Sequence, residues 1–389
     1  MTKESDLDKA IRLKGYGSAK EKFSESNRDS FESVKKAGKL SVKPKIITCL
    51  REYIDFIETL ETSYENPVFY RGQGNANYLI NPGALRINPQ NEQRMIESFS
   101  RRFPDVIDSC INDMSRLVLM QHYGLSTRAL DISENPLAAL YFACSPMKKF
   151  NKNPEKEKSS WGEITIFREP QKEDEKKPYN LKEISSTTVS VISSTAFMEE
   201  DFNLWQLGME YKKDNNLMRE ERHIPLLDIV RRSVIVRVPQ NNPRIKNQQG
   251  AFILVNANEI TEMNYHDTKT KELTEEIIND YDREITLDSL LNNTLWKKVI
   301  GTDKTWEFRF KKIKPYSGQN RIEIFDTDPF NLHDLFYKNK KGQQVVMLIP
   351  PEKKTNIISE LERFNITEDF IYPDMDCVAN EINERINKE

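Results

Sequence analysis

Arg71 ends a short apolar run, Val68-Phe69-Tyr70, and is followed by Gly72, Gln73 and Gly74. A guanidinium offers a planar fork that matches two phosphate oxygens, and the amides of a glycine-punctuated turn add donors for an anion. A second cluster follows at Gln121-His122-Tyr123-Gly124-Leu125-Ser126-Thr127-Arg128, with Asp131 just beyond. It brings a histidine fit for hydrogen bonding or acid–base work, two hydroxyls, a further arginine and a carboxylate, all ahead of the apolar run 136–143. Polar side chains crowded at the mouth of apolar elements point to a site, and Arg71 suits it to an anion.

Each of these residues also has a structural use. Arg71 can staple loops through backbone carbonyls, and Arg86 and Arg128 can pair with Asp131 instead of charging a ligand site. Ser126 or Thr127 can cap the element that follows, and Asp131 stands three residues before Glu134 at capping-box spacing. Tyr70 and Tyr123 can stack on a ligand ring or pack in a core. Gln248-Gln249-Gly250 precedes an apolar run and can supply amide hydrogen bonds where a strand begins. Asp374 and Asp376 follow Pro373, where they suit helix caps.

The elements that must position these groups follow from periodicity. Ile47, Leu50, Tyr53, Ile54, Ile57 and Leu60 recur at helical spacing and predict a helix over about 46–62, with a strand to Arg71 after Asn66-Pro67. Helices are expected at 90–103 and 106–121, and a buried one at 136–143. Strands are expected at 163–167, 233–238, 251–255, 305–313, 321–325 and 345–349, and the β-branched stretch 185–197 reads as a strand and turn. A helix over 352–363 and another after Pro373 close the chain. Helices interleaved with short strands make the class α+β, with small mixed or antiparallel sheets flanked by helices. Charged stretches set off a polar, partly helical extension at 1–43 and an insertion within 261–342. The extension and the run 262–295 are candidate partner-binding segments, while Lys-rich loops at 148–158 and 338–341 read as solvated faces.

The chain has 389 residues with a net charge of −3, so charge gives no argument for tight duplex binding. No apolar run approaches the roughly 18 residues of a membrane span, and the N-terminus shows no basic-then-apolar signal; the expectation is a soluble, cytoplasmic protein without a membrane partner. Cys49, Cys110, Cys144 and Cys377 lack paired spacing, and His223, His266 and His333 are scattered, so no metal is expected.

Four motifs occur in an order that resembles the FRG domain of bacteria and phages. They are Phe69-Tyr70-Arg71-Gly72-Gln73 with Asn81-Pro82-Gly83-Ala84-Leu85-Arg86; the run from Gln121 to Asp131 with Asn135-Pro136 and the apolar residues to Ala143; Arg244 with Gln248-Gln249-Gly250-Ala251-Phe252; and Ile349-Pro350 with Phe370 to Asp376. The resemblance implies a domain core over 44–260 completed by 343–389. A more distant similarity to ADP-ribosyltransferases implies NAD or another nucleotide as donor and a protein or nucleic-acid acceptor. By that similarity Arg71, Gly72, Gln73, Tyr123, Ser126, Arg128 and Asp131 would bind the ligand, and His122, Thr127 and Gln249 would act in catalysis. The implied setting is a bacterial toxin or phage-defence effector; a non-catalytic nucleotide sensor or protein-interaction module is the alternative. Gln249 departs from the usual carboxylate, because a neutral amide stabilises a developing cation less well.

Overall fold

The computed structural model describes residues 42–63, 66–76, 78, 80–87, 91–145, 160–170, 182–184, 186–199, 201–203, 233–266, 305–312, 332 and 334–373. The extension before residue 42, most of the 148–160 and 169–178 loops, the run 267–295, the strand expected at 321–325 and everything after Pro373 lie outside them.

The strands in chain order are β1 (Val42–Ile46), β2 (Phe69–Gln73), β3 (Ala129–Ser133), β4 (Gly162–Phe167), β5 (Lys182–Glu183), β6 (Asp201–Asn203), β7 (Val234–Arg237), β8 (Gly250–Leu254), β9 (Asn258–His266), β10 (Thr305–Lys312) and β11 (Gln344–Ile349). Eight of them form one mixed sheet in the order β1-β11-β4-β2-β3-β8-β7-β5, and β6, β10 and β9 form a three-stranded sheet. Among the described residues only β1–β11 and β5–β7 pair parallel within the large sheet. The expected helices-plus-strands class holds, but a wide sheet stands beside one small sheet where several small ones were expected.

Alternation along the strands gives the large sheet two different faces. Phe69, Leu130, Ile132, Phe167, Ile235 and Ile253 pack together on one face, beneath Leu85, Leu335 and Phe336. The other face is covered by helices. The helices in chain order are α1 (Leu50–Ile57), α2 (Gly83–Ile87, which carries Leu85 of the first face), α3 (Glu92–Arg102), α4 (Pro104–Asp108), α5 (Asp113–His122), α6 (Pro136–Cys144), α7 (Thr187–Ser194), α8 (Pro243–Gln248), α9 (Lys354–Glu362) and α10 (Glu368–Ile371). Tyr70, Ile164, Ile166, Met347 and Ile349 meet α6 and α9 residues, whereas Val234, Val236, Phe252 and Leu254 meet α5 and α7. Burying each large aliphatic or aromatic side chain contributes roughly 1.5–3 kcal/mol, so these faces supply most of the drive to fold.

The apolar α6 is buried on nearly every side, as its composition requires. It starts at Pro136 behind Asn135, whose side chain accepts from Leu137 N at 2.9 Å. Two glycines let it lie flush on the sheet: a Cβ at Gly72 would stand 1.8 Å from Ala139 O, and one at Gly162 would stand 2.3 Å from Ala143 O. Tyr53 anchors α1 to the same helix by donating to Pro136 O at 2.7 Å.

Several elements differ from their sequence patterns. The helix expected over 46–62 is preceded by β1, and it begins only at Leu50. The helix expected over 106–121 is broken in two, because Asn112 caps α5 through Ser115 N at 2.9 Å and donates to Ile184 O at 3.0 Å. The 185–197 stretch holds helix α7, not a strand. Thr188, Val189, Val191, Ile192, Ser193, Ser194, Thr195 and Ala196 are all buried, and tertiary packing overrides β propensity there. Gln248 closes α8, which the polar composition of 243–248 concealed. Residues 262–266 of the charged run belong to β9.

Candidate functional site

β2 and β3 are neighbours joined by a single residue pair, Tyr70 with Ser133. Beyond it the strands part, and Arg71 lies at that point, its Nη1 donating to the Asp131 carbonyl at 2.5 Å. In the ladder with β4, Arg71 stands opposite Thr165 and Gln73 opposite Glu163. Gln73 is buried, and its amide nitrogen has no hydrogen-bond partner among the described residues.

Asp131 is exposed, and its side chain ends a chain of hydrogen bonds on the helical face of the sheet. Gln121 Nε2, in the last turn of α5, donates to Asp131 Oδ1 at 2.7 Å. Thr127 Oγ1 donates to Gln121 Oε1 at 2.6 Å and accepts from Ala129 N at 3.3 Å. Thr127 is buried, so Gln121 carries its orientation out to the solvent-facing carboxylate. The capping role suggested for Asp131 does not apply: it is the middle residue of β3, and Asn135 caps α6. Thr127 and Ser126 likewise lead into a strand, not a helix. Glu134 pairs instead with Arg237, at 2.8 Å.

His122 turns toward α8, its Nε2 lying 3.1 Å from the Asn242 side-chain amide. The same helix presents Arg244, whose guanidinium lies over the Tyr372 ring at 5.0 Å. Two amides bind this part of the chain to α8: Asn247 donates to Phe370 O and Gln248 to Ile371 O, both at 2.8 Å. Burial pushes the Tyr372 hydroxyl far above its ordinary pKa, with Arg244 opposing the shift and the charge of Asp131 adding to it.

The remaining predicted residues are placed elsewhere or committed to packing. Arg128 is fully buried, its Nη2 2.6 Å from Glu92 Oε2 and its Nη1 donating to Thr195 Oγ1 at 2.6 Å. It binds α3 and the end of α7 to the loop and has no exposed surface for a ligand. Gly72 serves α6, as described above, and its close contact there is the physical reason for a glycine. Ser126 rests against Gly83, where an added Cβ would meet its Oγ at 2.9 Å. Tyr123 is exposed, with its ring edge-on to His122 and near Phe99. The Arg86 side chain lies outside the described residues.

Gln249 is half of a helix stop. With φ 46° and ψ 50° it caps α8 in the left-handed conformation, and its carbonyl accepts from Glu134 N at 3.0 Å. It lies where β8 begins, and β8 is two strands from β2 in the sheet. The structure therefore links Thr127 and Asp131 through Gln121, holds Arg71 on the Asp131 carbonyl, places His122 at the α8 side, and sets Gln249 just before Gly250, which pairs with Ser133 opposite Tyr70. Sequence reasoning passed over Gln121, Asn242 and Glu92. Only the position of Gln121 at the head of the second motif hinted at its part.

Among the described residues no helix is long and apolar enough to cross a membrane. No curated protein and no solved structure matches the chain. A family model does match, over residues 66–152. That stretch holds the first two motifs, including Arg71, Gln121, Thr127 and Asp131, whereas Gln249 and Tyr372 lie beyond it. From β2 through α6, then, the chain carries an FRG domain.

Proposed function

We propose that the FRG domain binds a nucleotide-like anion where β2 and β3 part, with an ADP-ribosyltransferase-like activity on NAD or another nucleotide. The observation that carries this reading is the hydrogen-bonded series Thr127–Gln121–Asp131, beside the guanidinium that grips the Asp131 carbonyl. The chemistry of the donors suits two parts of such a ligand. Arg71 fits a diphosphate, since its fork can satisfy two oxygens. The exposed Asp131 carboxylate is an acceptor, so it fits ribose hydroxyls and repels phosphate. Gln121 holds that carboxylate in one orientation, which lowers the entropy lost when a sugar docks. A toxin or phage-defence effector in the cytoplasm, acting on a protein or nucleic-acid acceptor, is the setting that accords with the family resemblance.

A second reading is a nucleotide sensor without chemistry. Gln249 favours it, because the residue that would stabilise positive charge is a neutral amide serving as a helix cap. One experiment separates the two: incubate the wild type with labelled NAD and lysate or nucleic-acid acceptors, and follow melting temperature with NAD, ADP-ribose and ATP. Transfer or NAD hydrolysis lost in Arg71→Lys and Asp131→Asn supports the enzyme. A melting shift lost in the same variants, without turnover, supports the sensor. Neither turnover nor a shift with any nucleotide would sink both.

A further inference from the structure

Away from the Arg71–Asp131 junction, α3 borders a cavity of about 410 Å³. Met95 and Phe99 of this helix, with Phe103 just past its end, recur at i, i+4 and i+8 and line the cavity with Leu125, giving it an apolar floor. Arg94 and Arg102 flank that floor, two helical turns and therefore about 12 Å apart. Both arginines are exposed, and among the described residues neither has a carboxylate within ion-pair distance. Phe103 and Tyr123 are 49% and 66% exposed, so aromatic surface continues beyond the cavity.

We propose that this groove takes a helical segment of a partner protein, apolar on one side and carrying carboxylates two turns apart. Apolar anchors would enter between Phe99 and Leu125, and the carboxylates would pair with Arg94 and Arg102. The charge arrangement selects this occupant. A fatty acid has one carboxylate and would leave the second arginine desolvated without a counter-charge, whereas residues i and i+7 or i+8 of a docked helix match the spacing. Arginine and exposed aromatics are also the residue types that carry most binding energy at protein interfaces, and a helix laid in an apolar groove is a recurrent mode of recognition. The local charge is positive on a chain whose net charge is −3, so complementarity arises from placement, not from overall composition. The inference is independent of the nucleotide reading.

The test uses the full chain and a set of fluorescein-labelled, 18-residue amphipathic peptides with leucines at helical spacing and glutamates seven or eight residues apart. Counterparts with lysine in place of each glutamate serve as controls, read by anisotropy. Binding of the glutamate peptides that weakens with salt, drops at least tenfold in Arg94→Glu/Arg102→Glu, and is restored to that variant by the lysine peptides is the expected result. A melting temperature unchanged by these exposed substitutions shows that the fold is intact. Equal binding of both peptide types, or of neither, overturns the proposal. Dodecanoate binding without peptide binding overturns it in favour of a small amphiphile. A self-associated chain that becomes monomeric in the variant overturns it in favour of a second copy.

Discussion

Glu92 and Arg128 meet where neither touches solvent, with Arg128 Nη2 2.6 Å from Glu92 Oε2 and its Nε also bonded to the same carboxylate. Glu92 further accepts from Arg128 N at 3.1 Å, so it satisfies both the side chain and the backbone of the residue beside Thr127. The pair fastens the first turn of α3 to the loop that enters β3.

Removing one partner strands a buried charge, which costs about 3–5 kcal/mol. Glu92→Gln and Arg128→Met are each expected to lower the unfolding free energy, read from urea denaturation, by that order. The double variant Glu92→Leu/Arg128→Met is expected to lose far less than the sum of the single variants. Additive losses across this cycle would show that the pair is not coupled as its geometry implies.

Gly72 lies within β2 and Gly250 begins β8, and the two have different room for a side chain. A methyl group at Gly72 would collide with the α6 backbone, whereas at Gly250 the nearest atom, Ile245 Cγ2, is 3.4 Å away. Gly72→Ala is expected to destabilise the chain by about 3 kcal/mol or more, and Gly250→Ala by no more than about 0.5 kcal/mol. Denaturation of the two variants in parallel checks this, and equal effects would contradict the role given to Gly72.

Gln249 adopts a backbone conformation that disfavours β-branched residues most. Gln249→Gly is expected to keep or raise stability by about 0.5 kcal/mol, while Gln249→Val should lose about 1–2 kcal/mol. If instead Gly and Val cost the same, the side chain and not the cap conformation is what the fold needs.

Several acidic groups are held neutral by burial. Desolvation pushes the Cys144 thiol from 9.0 up to about 12, partly opposed by Lys354, and raises the Tyr70 and Tyr141 hydroxyls from 10.0 to about 12. Between pH 9 and 12 the unfolded chain sheds these protons while the folded chain keeps them. The folded state then binds more protons, so stability is fully present below pH 9 and falls as pH rises through that window. Urea midpoints at pH 8, 10 and 11 should decline in order. Over the same range a thiol reagent should leave Cys144 unmodified until the chain unfolds.

The legible parts were those in which local pattern and final burial coincide. The apolar run at 136–143 had to be a buried helix, and Val345 to Ile349 had to be a buried strand, whatever else the chain did. The two motifs around Arg71 and Thr127 were visible as polar insertions between such elements. What escaped depends on contacts distant in sequence. Val42–Ile46 is charged and short, and it becomes a strand only because β11 offers a parallel edge. The 187–194 run lacks an amphipathic stripe because it is buried on all sides, so its β-branched residues misdirected the reading. Arg128 looked like part of a ligand site because its partner, Glu92, lies 36 residues earlier. Gln249 looked like the start of a strand because six polar or neutral residues hid the helix it terminates.

The single pairing of Tyr70 with Ser133 also bears on how the chain can be synthesised. Among the described residues of 66–152 the strands are β2 and β3, and β2 takes its main ladder from β4, which in turn borders β11. A ribosome that has released the FRG stretch has therefore delivered a sheet with almost no internal ladder. Its central strands wait for partners translated later, the last of them near residue 349. Folding of this domain is thus a late, cooperative event, and a nascent chain halted before β11 would present open strand edges to chaperones.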